Sequence, residues 1–230
     1  MLKISYLITC HNEDCTLKNL LQRVSRFCDL DDEIVILDDF SDNPKCQKIL
    51  LEYSYKDNVR VYQHALDRNY GAHKNYGNEL CKGDWIFQID ADELPSEVLL
   101  MNIKNIIGAN PDIELFLLPR VNDFKGVKQE HANQWGWRLT PCKEYGGRPI
   151  INWPDYQGRV YKNVSARIRW DRRLHEKIEG YTKYSALPAE VDFSLYHDKT
   201  IETQLQTNLW YNKEFTEDEN RGYGGYKQNV

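Results

Sequence analysis

Trp85-Ile86-Phe87-Gln88-Ile89-Asp90-Ala91-Asp92 decides how this chain is read. The mostly apolar run reads as a buried β-strand, and the two carboxylates fall at its carboxyl end. In an open α/β sheet that is the edge where ligands bind. In extended backbone, residues i and i+2 point the same way, so Asp90 and Asp92 are expected to bring two hard oxygen ligands to one spot. Such a pair suits Mg²⁺ or Mn²⁺, which bind through a few carboxylates and the phosphates of a substrate. The competing reading is a helix cap, because Asp92, Glu93 and Ser96 precede Val98-Leu99-Leu100.

Outward from that strand, elements alternate. Ile4 to Thr9 reads as a strand, and Asp14 starts a helix whose apolar face is Leu17, Leu20, Leu21, Val24 and Phe27. Glu33 to Leu37 is a buried strand ending in Asp38-Asp39, followed by a helix after Pro44 through Ile49, Leu50 and Tyr53. Val59 to Tyr62 is a third strand and Ala72 to Cys81 a third helix. Pro95 opens a fourth helix to about Ile107, and Glu114 to Leu118 is another strand. The alternation predicts an α/β protein with a mostly parallel, doubly wound sheet. His11-Asn12-Glu13, Asp38-Asp39 and Asp90-Ala91-Asp92 should then lie along one edge.

After Arg120 the pattern changes. Residues 122–156 lack periodicity and read as a long functional loop or lid, since Trp135, Trp137, Tyr145 and Trp153 are costly to leave in solvent. Gly158–Lys162 and Ala166–Trp170 read as two strands of a hairpin around Asn163. Val191–Tyr196 reads as a strand, Ile201–Phe215 as a helix, and the tail Arg221–Tyr226 as flexible.

The 230 residues fit one domain with a full core, alone or with an appendage. With 30 basic and 35 acidic residues the net charge is −5, which argues against nucleic acid as a partner. Arg167, Arg169, Arg172 and Arg173 leave room for a local anion site. No apolar run approaches the roughly 20 residues that span a bilayer, and the start is too short and polar for a signal peptide. The cysteines at 10, 15, 28, 46, 81 and 142 have no metal-type spacing, so they are expected to be reduced, buried or half-buried side chains. Nucleophile elbow, P-loop, Gly-x-Gly-x-x-Gly and His-x-x-x-His signatures are all missing.

Four stretches carry candidate chemistry, each with an ordinary alternative. Leu37–Asp42 offers carboxylates for a ribose hydroxyl or a base N–H, or forms a turn and cap. Asp67–Gly77 sets cations, amides and a helix N-terminus where a pyrophosphate fits, or is a plain loop–helix junction. His175-Glu176 pairs an imidazole with a carboxylate able to act as a base, or is a surface pair. His197 supplies a further metal ligand, or simply ends a strand.

Their order along the chain is more specific than any one of them. Thr9-Cys10-His11-Asn12-Glu13, Leu37–Asp42, Asn69-Tyr70-Gly71, Lys74–Gly77 and Gly83–Glu93 together resemble the inverting family 2 glycosyltransferases. The match is close over residues 2–118 and looser through Pro154–Asn163 and Leu174–Glu176, which look like the lipopolysaccharide-core glucosyltransferase branch. The resemblance implies a GT-A, Rossmann-like fold with a C-terminal acceptor-side extension. The whole chain then forms one glycosyltransferase domain. Residues 1–118 bind the nucleotide sugar, 119–200 form the acceptor side and lid, and 201–230 form a helix and tail.

It further implies a nucleotide-sugar donor (a UDP-sugar foremost), Mn²⁺ or Mg²⁺, and a glycan or glycolipid acceptor. Asp39 matches the acidic residue that holds the nucleoside, while Thr9, His11 and Glu13 line base and ribose. Asn69, Gly71 and Lys74 fall where relatives approach the donor. Asp90 and Asp92 match the metal and diphosphate motif, with Asp92 the direct ligand and His197 a further one. Glu176 falls near the segment carrying the catalytic base, although His-Glu stands here in place of Glu-Asp. Asp155 is the second candidate base. The expected location is cytoplasmic, with peripheral membrane attachment through the aromatic loop or tail left open. Two rivals are a nucleotidyltransferase and an inactive carbohydrate-binding relative. The first calls for a Gly-rich basic loop after strand one, which Cys10–Asp14 is not, and the second does not need Asp90, Asp92 and Glu176 together.

Overall fold

The computed structural model describes residues 2–220. In chain order the elements are β1 (Ile4–Cys10), α1 (Cys15–Phe27), β2 (Glu33–Asp38), α2 (Pro44–Ser54), β3 (Val59–Gln63), α3 (Tyr70–Leu80) and β4 (Trp85–Asp90). There follow β5 (Leu94–Pro95), α4 (Glu97–Ala109), β6 (Leu115–Leu118), β7 (Arg120–Lys125), α5 (Gln129–Trp135), β8 (Leu139–Pro141) and β9 (Pro149–Ile151). The remainder carries β10 (Gln157–Lys162), β11 (Arg169–Asp171), β12 (Lys177–Glu179), β13 (Tyr184–Ala186), β14 (Leu195–Thr200), α6 (Ile201–Glu214) and α7 (Glu217–Asn220).

The main sheet has seven strands in the order β13-β6-β10-β4-β1-β2-β3. β1 pairs parallel with β2 and β4, β2 with β3, and β13 with β6, while β10 runs antiparallel to both its neighbours. Side chains alternate across the strands. Ile4, Tyr6, Ile8, Ile34, Ile36, Phe87 and Ile89 join the buried residues of α1, α2 and α4. Leu7, Val35, Leu37 and Ile86 face the other way, toward Cys81, Tyr161 and Trp170. Burial on both faces explains why these strands are apolar almost throughout. Each such leucine or isoleucine contributes roughly 1.5–3 kcal/mol on burial.

Register places the functional edge. Thr9 lies opposite both Leu37 and Asp90, and Cys10 opposite Asp38, so the loops after β1, β2 and β4 leave the sheet at one level. A second sheet, ordered β5-β14-β7-β9-β8, continues from this edge. In it His197 of β14 lies opposite Asn122 of β7. This mixed, mostly parallel α/β architecture is Rossmann-like, as the resemblance to GT-A proteins implies. The main sheet draws β10 and β13 from beyond residue 118.

Several local expectations need correction. The hairpin around Asn163 does not form: β10 inserts between β4 and β6, and β11 pairs with β12 instead. Both segments have strand character, but pairing is set by which neighbours their faces can cover, which a local pattern does not encode. Residues 122–156 are not a bare loop, since they hold most of β7, then α5, β8 and β9. Those elements run from three to seven residues, too short to display a period. Leu94–Pro95 is a short strand paired with β14, and α4 begins at Glu97 with Ser96 as its N-cap. Val191–Phe193 is a turn of 3₁₀ helix, and the strand there starts only at Leu195. The tail Arg221–Tyr226 lies outside the described residues.

The cysteines are all unpaired, and Cys10, Cys46, Cys81 and Cys142 are buried, whereas Cys15 is exposed at the start of α1. Of the clustered arginines, Arg167 is engaged by Glu114 at 2.7 Å and Arg173 by Glu219 at 3.0 Å, which removes them from a free anion site. Among the described residues no helix is long and apolar enough to cross a membrane.

Candidate active site

The loop after β1 is tied to the loop after β2 by Asn12. Its side-chain oxygen accepts from the amides of Asp42 and Asn43, each at 2.8 Å, while its own N–H donates to Ser41 Oγ at 2.8 Å. Asn12 does this with φ of 69°, a left-handed conformation that asparagine tolerates better than most residues. The link brings His11 Nδ1 to 2.7 Å from the Asp39 carbonyl and 3.6 Å from its carboxylate. Asp39 Oδ1 accepts from the Leu66 amide at 2.9 Å, and Glu13 Oε2 from the His11 amide at 2.6 Å. Burial pushes the Glu13 carboxyl up to about 7, against the opposing pull of the His11 amide. Thr9, His11, Glu13 and Asp39 thus line one end of the edge.

Asp90 sits at the centre. Thr9 Oγ1 and Gln88 Nε2 donate to its Oδ1, each at 2.9 Å, which accounts for the one polar side chain in the β4 run. Lys74 Nζ lies 3.0 Å from Asp90 Oδ1 and Arg159 donates to Oδ2 at 2.7 Å. Burial favours the neutral acid, but the two cations outweigh it and hold Asp90 far below the usual carboxylate range. The same Lys74 ammonium donates to Glu176 Oε1 at 2.7 Å, joining the end of β4 to the loop before β12. The Trp170 ring backs both cations, 4.6 Å from Lys74 Nζ and 5.8 Å from the Arg159 guanidinium carbon. Trp170 is itself fixed, its indole N–H donating to Tyr161 at 3.0 Å and its backbone bonded both ways by the Asn75 amide.

Asp92 belongs to a different set of partners. Its Oδ2 is 3.3 Å from His197 Nε2 and 2.9 Å from Lys199 Nζ, and against the opposing effect of burial these partners on β14 hold its pKa well below the usual range. The two carboxylates therefore have separate cation partners, since β4 ends at Asp90 and the chain turns before Asp92. The i, i+2 argument holds only while backbone stays extended. Among the described residues no three His, Cys, Asp or Glu side chains form a ready-made metal cluster.

Asp92 and His197 nevertheless fit a divalent cation. Asn122 Nδ2 donates to Asp155 Oδ2 at 2.9 Å, leaving its Oδ1 to accept from His197 Nδ1 at 2.7 Å. Burial lowers the His197 pKa despite Asp92 beside it, favouring the neutral ring, so Nε2 turns a lone pair toward Asp92 Oδ2. Two acceptors facing each other across 3.3 Å suit a shared cation. Substrate phosphates and water complete the shell around Mg²⁺ or Mn²⁺ in such sites.

The second candidate base is heavily engaged. Asp155 Oδ2 accepts from Arg120 Nε at 2.9 Å, from its terminal nitrogen at 2.7 Å and from Asn122 at 2.9 Å. Burial opposes ionisation, but Arg120 and Asn122 outweigh it and keep the group ionised. Asn69 caps α3, accepting from the Ala72 amide at 3.0 Å, and Gly71 packs against backbone, where an added Cβ would lie 2.3 Å from the Arg172 carbonyl oxygen. Lys74 is buried against Asp90 and Glu176.

Sequence reasoning missed a buried ionic frame beneath the site. Glu93, read as helper to a helix cap, takes Arg159 at 2.8 Å and Arg120 at 3.0 Å, and only Ser96 caps α4. Arg159 and Lys199 sit in plain view in the sequence, but an isolated cation inside a strand pattern is the available signal: it must be paired to be buried.

An open, mostly parallel sheet with acidic loops along its ligand edge places the chain among the Rossmann-like α/β proteins. The chain belongs to glycosyl transferase family 2, whose profile matches residues 5–194. An uncharacterized glycosyltransferase of Haemophilus influenzae is 24% identical over 155 residues, covering 64% of this chain and 51% of the relative. The undecaprenyl-phosphate 4-deoxy-4-formamido-L-arabinose transferase of Pseudomonas fluorescens is 34% identical over 94 residues, covering 39% of this chain and 27% of the relative. Among solved structures, S. aureus TarS aligns with a TM-score of 0.59 at 15% identity, over 94% of this chain and 41% of TarS. TarS 1–349 in complex with UDP-GlcNAc aligns with a TM-score of 0.55 at 16% identity, over 86% of this chain and 59% of that one. The chain spans about half the length, or less, of the curated relatives it matches.

Proposed function

We propose that this chain transfers a sugar from a nucleotide-sugar donor, a UDP-sugar foremost, to a hydroxyl of a glycan or glycolipid, with inversion at the anomeric carbon. The observation that carries the reading is the single Lys74 ammonium shared by Asp90 and Glu176, at 3.0 and 2.7 Å. It sets a candidate base beside the diphosphate motif on the ligand edge of the sheet. The UDP-GlcNAc bound to a TarS neighbour supports the donor class, and the undecaprenyl phosphate in the Pseudomonas relative's name supports a lipid-linked acceptor.

In this reading His11, Glu13 and Asp39 hold base and ribose, with Thr9 positioning Asp90. Asn69 and Gly71 shape the donor side through the start of α3, and Lys74 and Arg159 fix Asp90 against the diphosphate. Asp92 and His197 hold Mn²⁺ or Mg²⁺, which when bound offsets the charge that develops on the leaving diphosphate. Glu176 takes the proton of the acceptor hydroxyl as it attacks the opposite face of the sugar, and Asp155 is the second candidate. Trp135 and Trp137, 4.6 Å apart and linked through Phe124 to His197, offer ring faces on which an acceptor sugar stacks.

The test is a panel of nucleotide sugars with Mn²⁺, following release of nucleoside diphosphate. Turnover of a UDP-sugar, abolished by chelator and by Asp92→Ala, is expected. No turnover together with no binding of any nucleoside diphosphate refutes the proposal. Glu176→Gln should lower the rate with little change in donor affinity, and the same pattern in Asp155→Asn alone would move the base there.

A further inference from the structure

We infer that Lys199 is the resident counter-ion of Asp92, holding the cation position until a divalent ion takes it, so that this lysine sets the metal affinity of the site. The inference rests on the proposed metal reading of Asp92 and His197. His197 and Lys199 are two apart on β14, so both project from one face of the strand toward the end of β4. Lys199 Nζ lies 2.9 Å from Asp92 Oδ2, the same oxygen that faces His197 Nε2 at 3.3 Å. The ammonium thus satisfies the oxygen a metal ion would use. The Asp92 carboxylate and the Lys199 ammonium together carry no net charge. A divalent ion added beside the ammonium would meet its full repulsion across a partly buried site, so the two cations exclude each other.

Asp90 shows why this exchange belongs to Asp92. The cations on Asp90 are locked in place: Lys74 is also held by Glu176, Arg159 by Glu93, and their side chains are only 3% and 5% exposed. Lys199 is 18% exposed, and Asp92 is its one ion-pair partner among the described residues. A flexible four-carbon stem lets its ammonium leave Asp92 and return to water without stranding a second buried charge. The Asp-x-Asp pair is therefore divided in function. Asp90 is a fixed, permanently paired carboxylate, and Asp92 is the exchangeable one.

The test measures Mn²⁺ binding to the full chain by loss of the free-ion electron paramagnetic resonance signal, with and without UDP. Wild type is compared with Lys199→Met, Lys199→Ala, Lys199→Arg and Asp92→Asn, each checked for folding by thermal melt. The methionine and alanine variants should bind Mn²⁺ roughly 10- to 100-fold more tightly, the loss of one competing charge-assisted hydrogen bond. The arginine variant should show no such gain, and Asp92→Asn should lose binding. Either lysine variant alone suffices if the other fails to fold. Unchanged or weaker Mn²⁺ binding in them, with wild type binding and Asp92→Asn not, overturns the role of Lys199 and leaves the metal reading standing. Absence of binding in wild type and both lysine variants, or wild-type binding in Asp92→Asn, overturns the metal reading and this inference with it.

Discussion

Replacing Lys74 by methionine removes one ammonium from between two carboxylates. In the intact protein Nζ stands 3.0 Å from Asp90 and 2.7 Å from Glu176, with the lysine side chain 3% exposed. Methionine preserves the stem's packing against Trp170, so the loss is electrostatic. Breaking a buried pair by deleting one partner costs about 3–5 kcal/mol, because the other charge remains. Asp90 keeps Arg159 and is 30% exposed, which places the expected loss near the lower bound. For a chain of this length 3 kcal/mol corresponds to roughly 6–12 °C in Tm.

The sign with pH follows from linkage. The Asp90 carboxyl is depressed in the folded state, so its contribution is present above the unfolded value near 4 and is lost as pH falls through the folded one. Without Lys74 that depression shrinks, and acidification relieves the stranded charges of the variant. The deficit of Lys74→Met should therefore be at its full size from pH 7 down to about 5 and should narrow as pH falls below about 4. Urea unfolding at several pH values reads this directly. Adding Glu176→Gln to Lys74→Met should recover part of the loss. A deficit under about 1 kcal/mol, or one that is flat with pH, refutes the shared-ammonium account.

Three further outcomes follow from the geometry. The Glu13 carboxyl is raised to about 7, so the folded state holds a proton the unfolded chain releases, and its contribution to stability falls as pH rises from about 4.5 to 7. Glu13→Gln should gain stability over wild type above pH 7, by at most about 3 kcal/mol, and match it near pH 4 in urea titrations. Asp155→Ala strands Arg120 among fewer acceptors and should lower stability by about 3–5 kcal/mol, whereas Glu176→Gln leaves Lys74 on Asp90 and should cost less in the same melts. Gly71→Ala puts a methyl 2.3 Å from the Arg172 carbonyl oxygen, and displacing that backbone should cost about 1–3 kcal/mol by thermal melt.

Legibility differed by scale. α1 was plain because Leu17, Leu20, Leu21 and Val24 repeat with helical spacing, and all four are buried. β1, β2 and β4 were equally plain, and their level carboxyl ends are why Thr9, Asp39 and Asp90 share an edge. The region after Arg120 was opaque because its elements span few residues and pair across long separations. Asn122, for example, meets His197, 75 positions away. The split between Asp90 and Asp92 was hidden for a related reason: whether extended geometry persists past Asp90 is decided by the turn, where the Glu93 amide bonds the Asp90 carbonyl at 2.8 Å.

By itself the sequence determined the alternation of strands and helices, and with it the acidic loops at one sheet edge. Those features rest on local sterics and on the burial of periodic apolar faces, both of which are written in near neighbours. The tertiary structure alone decided which partner meets which carboxylate: Lys74 and Arg159 on Asp90, the His197 ring and Lys199 on Asp92, Arg120 on Asp155. A buried charge must find a partner within a few ångströms, but the sequence does not say which distant strand delivers it, because register and sheet order are properties of the assembled core.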